Sequence, residues 1–400
     1  MSFSEWREVA LKDVIEFNPK ESIKKGTITK KIGMDKLAPF QRKIDGFELE
    51  AFKGGSKFRN GDTLLARITP CLENGKTAQV TILDDDEVAF GSTEYIVLRH
   101  KIGITDNNYI FYLALSQYVR DTAIKSMTGT SGRQRAQTDV IENTKIMLPP
   151  LDEQKAIAHI LSTLDDKIEV NNQIGKTLEN MAQAIFKQWF VDFEFPNEEG
   201  EPYKSSGGEM VESELGLIPL GWKVHLLKDF VPVITGKKNA NVATNSGKYK
   251  FFTCSQIASK TDDYSFEGKA ILVAGNGDFN VKFYNGKFEA YQRTYVLIPH
   301  KEDLSGFIYY MMDYNLEEIV TNARGSVISY LTKGDLEDSK IAFPEKENHI
   351  QYTVIFQIIN EFILNLNKEN EKLSELRDTL LPKLMSGEIR VPLDSEGDVS

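Results

Sequence analysis

Two stretches of this 400-residue chain end like a phosphate-binding loop, PCLENGKT at 70–77 and VNNQIGKT at 170–177. Such a loop needs a glycine five places before the Gly-Lys step, so that successive backbone N–H groups can curl round a phosphate. That place holds Pro70 in one and Val170 in the other, and neither stretch can cradle a nucleotide. GNG at 275–277 is not completed to G-x-G-x-x-G, which excludes a dinucleotide or S-adenosylmethionine loop of that type. DDDE at 84–87 sits between apolar runs and reads as a turn. Glu153-Gln154-Lys155 has the E-x-K spacing of a nuclease, but it opens a helix and no Pro-Asp pair precedes it. His100, His159, His225, His300 and His349 are scattered, and Cys71 and Cys254 lack CxxC spacing, so no metal site or disulfide framework is encoded. The chain is expected to be no enzyme and to hold no cofactor of its own.

What these decoys leave is a question of architecture. Four hundred residues, 41% hydrophobic and 27% charged, predict two or more folded domains. No apolar stretch reaches the roughly 18 residues of a membrane span, and MSFSEWREVALKD does not read as a signal peptide. A cytoplasmic chain without a membrane partner is expected. The net charge of -11 is unevenly spread: about +2 over 1–150, -9 over 151–218, 0 over 219–345 and -4 over 346–400. The stretch NPKESIKKGTITKKIGMDKLAPFQRK is dense in Lys and Arg, which suits a solvated loop or a phosphate-facing surface.

The chain is written twice. WREVALKDV at 6–14 matches WKVHLLKDF at 222–230, aligning Trp6 with Trp222 and Leu11 with Leu227. GDTLLAR and STEYIVL have counterparts in GKAILVA and QRTYVLI, and TDVIENTKIMLPP closes the first copy as KGDLEDSKIAFPE closes the second. A drifting offset of about 200 residues marks a duplicated domain rather than a short-period solenoid. Within each copy, β-branched and aromatic runs between Gly and Asp turns predict strands, and 107–126 and 304–323 predict matching helices.

After each copy comes a heptad helix. The first seam reads Ile157, Leu161, Leu164, Ile168, Asn171, Gly175, Leu178, Ala182, Ile185 and Trp189. The second reads Ile355, Ile359, Phe362, Leu366, Glu369, Leu373, Leu376 and Leu380, which places Asn171 opposite Glu369. Two such stripes in one chain most simply bury each other, although each helix could instead pack on its own globule. About 35 helical residues span roughly 50 Å. The resulting expectation is an α+β chain with two similar α/β globules and two long antiparallel helices in a coiled coil. Its parts are a first globule over 1–150, a central helix over 151–195, a linker over 196–218, a second globule over 219–345, a C-terminal helix over 346–386 and a tail over 387–400.

The order globule, LPPLDEQKAIAHILSTLDDKIEVNNQIGKTLENMAQAIFKQWFVDFEF, globule, NKENEKLSELRDTLLPKLMSGEIRV resembles the specificity subunit of bacterial and archaeal type I restriction-modification systems. The resemblance covers essentially the whole chain, with its specific part in the helices and a looser match in the globules. It implies two target recognition domains, each reading half of a bipartite double-stranded DNA sequence, spaced by helices that dock two methyltransferase subunits. Those partners would use S-adenosylmethionine to methylate adenine, and restriction subunits driven by ATP with Mg would join them. The second copy departs from the pattern: it has FPEKENHIQ for the P-P-L-x-E-Q phrase and ARGSVISYL for TSGRQRAQT.

Under that reading, the candidate DNA-contacting residues are Arg67, Thr69, Lys76, Ser131, Arg133, Gln134 and Arg135 in the first globule. In the second they are Asn276, Asp278, Asn280, Gln292, Arg293 and Arg324. Arg and Gln can make bidentate contacts to guanine or adenine, and Gly129 and Gly132 would allow close backbone approach. Two other classes stay open: a scaffold whose globules bind proteins, and an enzyme subunit with a divergent active site.

Overall fold

A computed structural model describes residues 5–244, 246–321, 330–345 and 349–391. The chain divides into two compact units, residues 1–171 with 369–400, and residues 172–368. Each unit therefore combines one globule with a stretch of both long helices.

In the first unit, strands Ile15–Phe17, Tyr95–His100, Thr63–Ala66 and Thr77–Gln79 form one four-stranded antiparallel sheet. Glu48–Ala51, Ile28–Ile32, Ala89–Gly91 and Ser56–Phe58 form a second, with one parallel pairing. Alternation across the first sheet builds two cores, since successive strand residues face opposite sides. Leu64 and Val97 join Ile32, Phe58 and Val80 on one side. Leu65, Ile96 and Leu98 join the helical residues Tyr109, Phe111 and Tyr112 on the other. The predicted helix over 107–126 breaks at Ser116 into Asn107–Leu115 and Gln117–Lys125, where the Ser116 hydroxyl accepts from Val119 N.

The second unit has a six-stranded sheet in the order Val233–Thr235, Thr294–Leu297, Phe266–Ala274, Val281–Ala290, Tyr249–Phe252, Ser259–Thr261. The single helix Ser305–Thr321 packs against it. The repeat is visible in the backbone. Arg7–Ala10 pairs antiparallel with Lys145–Leu148, as Trp222–Leu226 pairs with Lys340–Pro344. Leu11 N donates to Thr144 O at 3.0 Å, and Leu227 N to Ser339 O at 2.9 Å. The stretch read as a linker is folded instead. Met210–Ser213 and Gly216–Pro219 form a hairpin, and Phe193 and Phe195 are buried beside Trp222.

The P-P-L-D-E-Q junction works through side chains that the sequence pattern could only count as polar. Gln154 is fully buried; its amide donates to Ile104 O and Pro149 O and accepts from Asp106 N. Glu153 is buried between Trp6 Nε1 at 3.0 Å and the Arg390 guanidinium at 2.6 Å. These bonds tie the start of helix Leu151–Phe186 to the first globule and to the turn that follows helix His349–Ser386.

Along the first helix Ile157, Leu161 and Asn171 are buried, and Leu164, Ile168, Leu178 and Ile185 are half-buried. The predicted second seam needs correcting. Ile359 and Leu366 are buried and Ile355, Leu373 and Leu380 half-buried, but Phe362 is 51% and Leu376 48% exposed. The inward row is Phe356, Ile359, Ile363, Leu366, Asn370, Leu373, Arg377, Leu380 and Leu384. Apolarity favoured Leu376 over Arg377, whose charge is buried against Asp165 and Asp378, and it could not separate Phe362 from the equally apolar Ile363.

In the first unit, Arg377 Nη1 donates to Asp165 Oδ1 at 2.7 Å, and Asn171 donates to Glu369 at 2.8 Å and to Asn370 at 2.9 Å. Partners that fall in number on one helix as they rise on the other make the pair antiparallel. In the second unit, Tyr310 donates to Asn360 at 3.0 Å and Glu179 accepts from Tyr309 at 2.9 Å.

Candidate nucleic-acid interface

Three segments of the first globule meet at one surface. Thr128 and Arg135 exchange both backbone hydrogen bonds, so 129–133 project as an exposed loop. Gly129 and Gly132 have φ of 128° and 78°, which side-chain-bearing residues rarely adopt. The loop is pinned at its base: Thr69 N donates to Gln134 O, Ala136 N to Arg67 O, and Arg67 N to Glu94 O.

The candidate residues divide by what they already hold. Ser131 and Arg133 are exposed at the tip, and Gln134 is half-buried. Arg135 is engaged: its guanidinium grips both carboxylate oxygens of Glu94, with contacts of 2.7 and 2.9 Å. That hydrogen bonding holds the Glu94 carboxyl below its ordinary range. Arg67 spends one N–H on Ala136 O at 3.2 Å, Lys76 donates to Met34 O at 2.7 Å, and Thr69 sits 3.4 Å from Glu73.

The second globule builds the same framework. Gly275 N donates to Arg293 O and Gly275 O accepts from Leu331 N, both at 2.8 Å, which are the two bonds that Arg67 makes in the first. A Cβ at Gly275 would stand 2.6 Å from Arg293 O, so no side chain fits there. Asp278, Gln292 and Arg293 are exposed, and Asn276 accepts from Cys254 Sγ. Asn280 does not face outward. It is 7% exposed, and its amide donates to Cys254 O and Asp278 O, so it shapes the turn from within. Arg324 lies outside the described residues.

Sequence reading missed Glu94, although it stands in the repeated phrase STEYIVL, because its partner is 41 residues away. Among the described residues there is no group of three or more His, Cys, Asp or Glu able to hold a metal, and no helix long and apolar enough to cross a membrane.

The family model for the type I restriction modification DNA specificity domain matches residues 3–180 and 219–377, both halves of the repeat. The chain belongs to that family. Among its relatives, the EcoDI specificity subunit of Escherichia coli is 35% identical over 181 residues, 44% of this chain and 40% of that one. The match thus spans two-fifths of that relative's length. The MjaIX specificity subunit of Methanocaldococcus jannaschii is 27% identical over 317 residues, covering 71% of this chain and 69% of its own. The HindI specificity subunit of Haemophilus influenzae is 26% identical over 410 residues, covering 83% and 87%. This specificity-family chain also shares its fold with the type I S subunit from M. genitalium: TM-score 0.56 at 14% identity, over 96% of both chains.

Proposed function

We propose that each unit reads one half of a bipartite double-stranded DNA target, and that the chain supplies recognition while partner subunits supply chemistry. The observation that carries this reading is the shared framework of three segments, 67–76, 92–94 and 128–136 in one copy and 274–280, 291–293 and 330–331 in the other. Each presents polar side chains on a pinned loop, as direct readout of base edges requires. Arg133 reads a base in the first half-site, Ser131 and Gln134 support it, and Gln292 and Arg293 serve the second.

The helices space the half-sites and dock two methyltransferase subunits. Ile350, Val354, Ile358 and Phe362, four residues apart on the C-terminal helix, are between 40% and 57% exposed and support that docking role. S-adenosylmethionine and ATP with Mg belong to methyltransferase and restriction partners, and the complex works in the cytoplasm of a bacterium or archaeon. Removing 172–178 together with 362–368 retains both the Asn171–Glu369 and Asp165–Arg377 pairs. Losing about 10 Å from each helix should shorten the preferred DNA spacer by about three base pairs.

Arg133→Ala tests the readout. It should cost about 1–3 kcal/mol on the target and relax preference at one base pair. Binding that keeps wild-type preference at every position would remove the loop from the reading surface.

A further inference from the structure

Beside the pinned loop lies an open cleft of about 550 Å³, to which the DNA reading above assigns no role beyond naming Arg67 and the segment of Thr93. Asn18, Lys20, Ser56, Lys57, Arg67 and Thr93 line it. Three of these are cations from separate segments of the lysine-rich first globule. Glu21, the acid on its wall, is turned to other partners: Arg59 at 2.7 Å and Arg99 at 2.8 Å. Its charge is therefore already matched.

Two of the cations are held in place, and Lys20 is exposed. Lys57 Nζ donates to Glu21 O at 2.7 Å and lies 5.6 Å from the centroid of the Phe52 ring. Arg67 is fixed by its bond to Ala136 O, while its buried Nε has no partner among the described residues. Ammonium and guanidinium donors around an open cleft, with hydroxyls from Ser56 and Thr93, match the oxygens of a phosphate diester. Arg67 belongs both to this cleft and to the base of the exposed loop, so the cleft lies directly beside the loop.

We propose that this cleft grips one backbone phosphate of the DNA strand read by the first unit, with Lys20, Lys57 and Arg67 as the gripping cations. The inference rests on the DNA reading above. It belongs to the first unit only, because Gly275 stands where Arg67 does and cannot accept a side chain. The grip positions the strand and carries no sequence information.

The test uses the full chain with its methyltransferase partner, a duplex containing the methylated target and a duplex of random sequence, titrated over a range of KCl. Lys20→Ala with Lys57→Ala should lower the slope of log affinity against log salt by roughly one, the amount for one phosphate. Target and random duplexes should weaken alike, and Lys20→Arg with Lys57→Arg should restore the slope. Lys20→Ala alone, at an exposed position, should act in the same direction without changing thermal unfolding. An unchanged slope in folded variants, or a loss confined to the target duplex, would overturn the proposal. So would saturable binding of inorganic phosphate at millimolar concentration that the double variant loses, since the cleft would then serve a free anion. If the wild-type complex shows no preference for its target, the DNA reading itself fails.

Discussion

Arg377 on the C-terminal helix and Asp165 on the central helix form an ion pair of 2.7 Å with side chains only 8% and 5% exposed. Tyr112 of the first globule donates to the other Asp165 oxygen at 2.6 Å, so one carboxylate binds two helices and a globule together. Burial opposes the Arg377 charge, but Asp165 and Asp378 more than offset it and raise its pKa.

Breaking such a pair leaves a charge without compensation, whereas removing both partners does not. Arg377→Met should destabilise the first unit by about 3–5 kcal/mol, and adding Asp165→Leu should recover much of that loss. Urea unfolding of the two variants, read by hydrogen exchange in Asn107–Leu115, checks the order.

The second unit repeats the tyrosine without the ion pair. Tyr310, 198 residues after Tyr112, meets Asn360 and Glu179. Burial chiefly holds the Glu179 carboxyl above its ordinary value of 4.5; nearby Asp313 adds to the rise, while the Tyr309 and Tyr310 hydroxyls oppose it. A carboxyl held high in the folded state binds its proton more tightly there than when unfolded. Its contribution is present at low pH and lost as pH rises through the folded value. Glu179→Gln should therefore flatten the decline of second-unit stability between about pH 4.5 and neutrality, measured by hydrogen exchange in Ser305–Thr321. Asp313, also raised by burial, leaves a residual slope. An unaltered profile would assign the decline elsewhere.

The two faces of the C-terminal helix should respond oppositely to substitution. Ile359 is 5% exposed, so Ile359→Ala should cost about 2–5 kcal/mol of stability. Ile358→Asp with Phe362→Asp, at positions 57% and 51% exposed, should change stability little and weaken capture of the methyltransferase partner at least tenfold. Size-exclusion chromatography of the mixed subunits and thermal unfolding of each variant separate the effects.

The sequence made the repeat readable because both copies need the same few residues at the same backbone positions: Leu11 and Leu227 enter the same kind of bond, and Tyr95 and Tyr295 fall in equivalent strands. It placed five of the eight residues of the second seam. Ile355, Ile359, Leu366, Leu373 and Leu380 follow apolarity, but an ion pair displaced Leu376 in favour of Arg377. The stretch 196–218 read as linker from its Pro, Gly, Ser and Glu content, although Tyr203 within it stacks on Phe195 and Phe195 on Trp222. At the interface, residue type marked Arg135 and Asn280 as candidate DNA contacts. Distance in sequence hid that Glu94 engages the first and that the second is buried. Density of lysine could not indicate that Lys20 and Lys57 share one cleft.

The central claim, that each unit reads its own half of the DNA target, is tested most directly by exchanging residues 219–345 for the second globule of another specificity subunit and sequencing the methylated sites in cells that carry the methyltransferase partner. One half of the methylated sequence should change to that of the donor, and the half read by the first unit should stay the same. A swap that alters both halves together, or leaves the methylated sequence unchanged, would contradict the account.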